Sequence, residues 1–112
     1  MEIKKWHVYL ADLNPRKGTE PGKVRPVVVV QTDLLNPVHP STVICPLTTN
    51  IQPKARLLRV HLEAGEAGLK QESDVMVDQI RGIDNRRFLR HMGKLSRRTQ
   101  EKLADRIRIL LA

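Results

Sequence analysis

The chain has 112 residues, 40% of them hydrophobic, which is enough for one modest core and a single domain over 1–112 with little surplus for a second. A formal net charge of +8 surrounds that core with a positive field that favours polyanions such as nucleic acid, acidic protein or anionic membrane, and charge alone does not choose among them. No apolar run approaches the ~20 residues that cross a bilayer, and the opening MEIKKWHVYLADL lacks a signal peptide's apolar centre, so the expectation is a soluble, cytoplasmic protein with no membrane role.

Residues 6 to 12 alternate Trp6, Val8 and Leu10 with His7, Tyr9 and Ala11, the period of a half-buried strand, and Asn14-Pro15 ends it. The next stretch, Arg16 to Lys23, sets Gly18, Pro21 and Gly22 among charges and reads as an exposed, mobile loop. Val24 to Gln31 follows as a buried strand whose four consecutive valines cover both faces. Pro26, having no N–H, belongs at that strand's start or edge. A second loop, Leu35 to Ser41, precedes a short strand over Thr42 to Leu47. The only cysteine, Cys45, lies within it; a single cysteine excludes an internal disulfide and a four-cysteine zinc site, and its setting between Ile44 and Pro46 reads as core packing.

Leu57 to Leu62 and Asp74 to Ile80 each alternate as strands with one face toward a core, joined through the turn material GEAGLK. Arg81 to Arg87 breaks the alternation and suits a short helical turn; Leu89 to Leu95 reads as a last strand interrupted by Gly93. In the tail, Leu103, Ala104, Ile107, Leu110 and Leu111 share one helical face behind Ser96, a suitable N-cap, and that face reads as core. Short, closely spaced strands with a terminal helix predict a mainly β (α+β) fold: a small, strongly bent sheet or barrel of five to seven strands with a C-terminal α-helix.

Set in order, VYLADLNP (8–15), GTEPGKVRPVVVVQTD (18–33), VICPLTTN (43–50), VDQIRGID (77–84) and GKLS (93–96) resemble the MazF/PemK/Kid family of toxin ribonucleases from bacterial toxin–antitoxin systems. The resemblance spans nearly the whole chain and implies an SH3-like barrel. It also implies a homodimer, metal-independent cleavage of single-stranded RNA with no cofactor, and restraint by an antitoxin whose acidic tail covers the RNA groove. Residue by residue, the arginine of the family's G-x-x-R-P matches Arg25, the threonine after the buried strand matches Thr48, the loop glutamate matches Glu20, and the polar pair before I-R matches Asp78 and Gln79. Met76 departs from the pattern, because some members carry an arginine there, so the acid/base scheme of those relatives does not transfer.

RNA brings its own nucleophile, the 2′-hydroxyl. A protein that exploits it must align that oxygen with the leaving 5′-oxygen, move two protons and neutralise the phosphorane. Arg25, a planar cationic fork, suits the neutralising task. Glu20 suits proton acceptance where the loop folds over the substrate, and the Thr48 hydroxyl suits holding a phosphate oxygen or the 2′-hydroxyl. Asp78 and Gln79 offer hydrogen-bond groups to base edges, while Lys23, Arg81 and Thr49 complete an RNA-contacting set. The competing expectations are a non-catalytic nucleic-acid-binding barrel, which three aromatic residues serve poorly as a stacking platform, and a CcdB-like toxin that blocks gyrase. Of the four histidines only His39, in a loop, invites testing, since no two lie close in sequence, and no H-x-x-H, H-E-x-x-H or carboxylate cluster marks a metal site.

Overall fold

The computed structural model describes residues 1–15, 18–19 and 23–112. Most of the predicted 16–23 loop, including Glu20, therefore lies outside the described residues. Among the described residues seven strands form one antiparallel sheet: β1 (His7–Asp12), β2 (Val24–Val29), β3 (Ser41–Thr48), β4 (Arg59–Leu62), β5 (Ser73–Met76), β6 (Arg81–Asp84) and β7 (Phe88–Lys94). The helix α1 (Arg97–Leu111) closes the chain. The strand order is β4-β5-β3-β2-β1-β7, with β6 also paired to β3.

The valines of β2 explain its central place. Val28 faces one core cluster with Val8, Cys45, Leu47, Val60, Val75 and the helix residue Leu103, whereas Val27 and Val29 face a second with Tyr9, Leu13, Ile44, Ile83 and Phe88. β1 is accordingly buried on both sides, with Val8, Tyr9 and Ala11 fully covered, and not half-exposed as its alternation suggests. A sheet sandwiched between two small apolar clusters buries both parities of its central strands.

Several boundaries differ from the sequence expectation. The segment expected as one strand over Asp74 to Ile80 stops at Met76, and Val77–Gln79 is a 3-10 turn. The stretch expected to break the pattern holds a strand, β6, before its helical turn at Asn85–Arg87. Leu57 and Leu58 precede β4 and are exposed. Ser96 caps α1 as expected, its Oγ accepting the Thr99 N–H at 3.3 Å. The apolar helical face is core only in part: Leu103 is buried, Ile107 packs against the same cluster, and Leu110 and Leu111 are exposed.

The barrel is likewise looser than a closed cylinder, because β4 and β7 end the strand order without pairing to each other. Near β7 the fold closes by backbone contact. A β-carbon on Gly93 would stand 2.6 Å from the carbonyl carbon of Ala67, so only glycine lets the 66–68 turn lie against β7.

Candidate functional site

The site begins with two prolines. Val30 N–H donates to the Val43 carbonyl at 3.1 Å, and the β2–β3 register runs Val29↔Ile44, Val28↔Cys45, Val27↔Pro46. Antiparallel pairs alternate between bonded and non-bonded, so the next bonded pair would be Pro26 with Leu47. Pro26 has no N–H to give, and the ladder stops there. The Leu47 carbonyl receives a different donor: Arg25 Nη1, at 3.1 Å. Continued by the same register, Arg25 would stand opposite Thr48, and both side chains belong to the face that carries Val27 and Ile44.

Beyond the break the two strands form the walls of a cavity of about 180 Å³ lined by Lys23, Val24, Arg25 and Pro26 on one side and Leu47, Thr48, Thr49 and Ser73 on the other. Arg25 and Thr48 are half-buried and Lys23 and Thr49 exposed. Burial pulls the Arg25 pKa below its ordinary value, the sign of a guanidinium partly withdrawn from water. Thr48 Oγ1 accepts the Asn50 N–H at 3.1 Å, so the remaining capacity of the hydroxyl includes its O–H donor. Lys23 sits at φ 57°, a left-handed conformation that costs a non-glycine residue about 1–2 kcal/mol. Asn14 Oδ1 holds it there by accepting its N–H at 2.6 Å, and its carbonyl accepts the Leu13 N–H at 3.0 Å.

Pro46 makes the second break, on the other edge of β3. Its nitrogen faces the edge where Ile44 pairs with Arg81 and Leu47 pairs with Val75. Between those contacts the chain leaves the sheet as the Val77–Gln79 turn. That turn carries Asp78, exposed, and Gln79, half-buried. Burial first, and the Asp78 charge second, push the Cys45 thiol up to about 12, which leaves it inert as a nucleophile.

Of the sequence-predicted residues, then, Lys23, Arg25, Thr48 and Thr49 share one cavity. Asp78, Gln79 and Arg81 do not line it; they lie along the opposite edge of β3. Glu20 lies outside the described residues. Ser73 joins the lining unannounced, since only the β3–β5 register brings it there.

The histidines also differ from expectation. His7 Nδ1 and His91 Nε2 approach to 2.9 Å across β1 and β7, although 84 residues apart. His39 bonds locally to Ser41. Among the described residues His61, Glu63 and Glu72 each bring one possible ligand atom to within 4.8 Å of the others, a grouping that no linear motif marks because Glu72 comes from across the β4–β5 hairpin. All three are exposed, none lines the Arg25 cavity, and His61 pairs with Glu72 at 3.3 Å and with Asp74 at 3.1 Å as an ordinary charge cluster.

The architecture is a small, strongly bent antiparallel sheet with a C-terminal helix and a cleft where its ladder breaks, and comparison with known proteins shows the class to which it belongs. Residues 4–111 match the family described as PemK-like, MazF-like toxin of type II toxin–antitoxin system. The chain is 34% identical to Endoribonuclease EndoA of Bacillus subtilis over 112 residues, covering 100% of this chain and 97% of that protein. It is 31% identical to Endoribonuclease MazF of Staphylococcus saprophyticus, covering 97% and 91%. In fold it is similar to the MazE–MazF crystal structure from Deinococcus radiodurans, with a TM-score of 0.77 at 23% identity over 99% of this chain and 96% of that one. The chain belongs to the PemK-like, MazF-like toxin family.

Proposed function

We propose that this toxin is an endoribonuclease and that the cleft between β2 and β3 is where it cuts single-stranded RNA. Arg25 and Thr48 lining one cavity is the observation that carries the reading. The 2′-hydroxyl attacks the adjacent phosphorus, the P–O5′ bond breaks, and the products are a 2′,3′-cyclic phosphate and a 5′-hydroxyl. Arg25 meets the charge that builds on the phosphorane oxygens. Its partial burial makes that interaction stronger than in open water. The Thr48 O–H donates to a phosphate oxygen, with the hydroxyl oriented by the Asn50 N–H. Glu20 keeps the proton-acceptor role on chemical grounds and takes the 2′-hydroxyl proton, while a solvent water protonates the leaving 5′-oxygen. Lys23 and Thr49 hold the backbone at the mouth, and Asp78, Gln79 and Arg81 read the strand where it crosses the other edge of β3. No step needs a metal-activated water, because the substrate supplies the nucleophile.

Family membership and the +8 charge support an acidic antitoxin as partner, lying over the same cationic mouth. The exposed Leu34, Leu35 and Val38 support a homodimer, because a second copy would cover them. A cytoplasmic location follows from a messenger-RNA substrate; among the described residues no helix is long and apolar enough to cross a membrane.

The test is incubation of purified protein with a long single-stranded RNA in EDTA, followed by mapping of the ends. Discrete cuts bearing cyclic phosphate and 5′-hydroxyl termini, abolished in a folded Arg25→Ala variant, support the reading. Intact RNA overturns it in favour of a binding-only barrel or a toxin that blocks a protein target.

A further inference from the structure

Asp74 is a carboxylate in the wrong place for a solvated charge. Its side chain is 3% exposed, yet it sits on β5 directly opposite Thr48. Burying a charge is costly unless every lone pair finds a partner, and Asp74 finds three. Oδ2 accepts the Gln52 backbone N–H at 2.8 Å and Arg59 Nη1 at 3.2 Å, while Oδ1 lies 3.1 Å from His61 Nδ1. The same Arg59 nitrogen donates to the Asn50 carbonyl at 3.1 Å.

Two of these contacts, at Gln52 and at Asn50, end on one short piece of chain. Thr48 is held by the β5 ladder through Asp74's own backbone, Asn50 by Arg59, and Gln52 by the Asp74 carboxylate. Thr48 Oγ1 is in turn oriented by the Asn50 N–H. Thus the turn that follows β3, which presents the Thr48 and Thr49 side chains to the cavity, is fastened at Asn50 and Gln52 by one largely buried ion pair and at Thr48 by the β3–β5 ladder.

We infer that Asp74, with Arg59, is a positioning residue for RNA cleavage: the pair fixes the 48–52 turn so that the Thr48 hydroxyl faces the phosphate that Arg25 neutralises. This rests on the proposed endoribonuclease function and adds a supporting residue outside the cavity lining. Asp74 touches no substrate. It acts through Thr48, which gives its removal a signature that general destabilisation lacks.

The experiment uses the full chain in four forms: wild type, Asp74→Asn, Thr48→Ala and the double variant. Asparagine keeps the shape and one acceptor but removes the charge that holds Arg59. The single-turnover cleavage rate should fall about 10–50-fold in Asp74→Asn while RNA affinity changes less than about threefold. In the Thr48→Ala background the same change should cost less than about twofold, because the hydroxyl it serves is already gone. Backbone amide exchange at 49–52 should rise about tenfold or more, with β1 and β2 unchanged.

Multiplying losses in the double variant, or exchange that rises across the whole sheet, would mean that Asp74 merely stabilises the fold and would overturn the inference. So would an unchanged rate. Should Asp74→Asn fail to fold, Arg59→Lys serves: it retains a cation for Asp74 but lacks the reach of the guanidinium to Asn50, and must loosen residues 49–51 and slow cleavage. Uncut RNA with wild type would instead defeat the functional reading, and the exchange measurement would still decide whether the pair fixes the turn.

Discussion

Replacing Pro26 with valine tests the origin of the cleft. The substitution restores an N–H at the position where the β2–β3 alternation calls for a bond to the Leu47 carbonyl, the acceptor that Arg25 Nη1 now uses at 3.1 Å. A net gain of about 0.5–1.5 kcal/mol for the new backbone bond is offset by the roughly 0.4–1 kcal/mol of added freedom in the unfolded chain when a proline is lost. Stability should therefore change by less than about 1 kcal/mol, read as the urea midpoint at constant slope. Activity should not be spared. Extending the ladder by one pair draws the cavity walls together and displaces Arg25 from its acceptor. Full loss of such a transition-state donor costs ~10²-fold or more, so displacement should cost about 10- to 100-fold in single-turnover cleavage. A variant as stable and as active as wild type would refute the idea that the missing proline donor places the arginine.

Arg25→Ala should lower the cleavage rate about 10²-fold with little change in melting temperature, because the side chain is half-exposed at the edge of the core; a fall below tenfold would remove it from the chemistry. Thr48→Val keeps the shape and removes the hydroxyl, and should slow cleavage at least tenfold while costing about 0.5–1.5 kcal/mol for the lost bond from the Asn50 N–H, measurable by urea unfolding. Gly93→Ala forces a β-carbon to 2.6 Å from the Ala67 backbone and should destabilise the protein by about 1–3 kcal/mol; an unchanged urea midpoint would show that the turn yields freely. His7 is pulled below its ordinary value of 6.5 by burial first, then by His91, Lys94 and Lys4, with Asp33 opposing. The unfolded chain thus binds its proton more readily, so this contribution to stability is complete above pH 6.5 and is lost as the pH falls below that value. His7→Gln should flatten the decline in urea midpoint between pH 7.5 and 5.5; an equal decline in the variant would assign it to other groups.

Much of this was legible in the chain. Alternation placed β1 and β4 to within a residue or two, and Ser96 with Leu103 and Ile107 located α1 and its buried stripe. Arg25 and Thr48 were identifiable as partners only through the resemblance, since 22 residues separate Arg25 from the Leu47 carbonyl it meets. Register was not legible. Whether Pro26 falls on a bonded or a non-bonded pair depends on how β2 lies against β3, and that is settled by packing of the valines. The same holds for β5 and β6: a continuous alternation from Asp74 to Ile80 does not show that Pro46, on another strand, denies the segment a donor midway. Asp74 reads in sequence as one more outward strand residue, and its burial appears only when Arg59, His61 and Gln52 are brought around it.

The break at Pro26 has a consequence for control. An imino nitrogen has no hydrogen to recover under any condition, so among the described residues the β2–β3 ladder does not zip past Pro26. On the proposed function, restraint of cleavage at this edge falls to an occupant supplied from outside, and its strength is then set by that occupant's supply and lifetime.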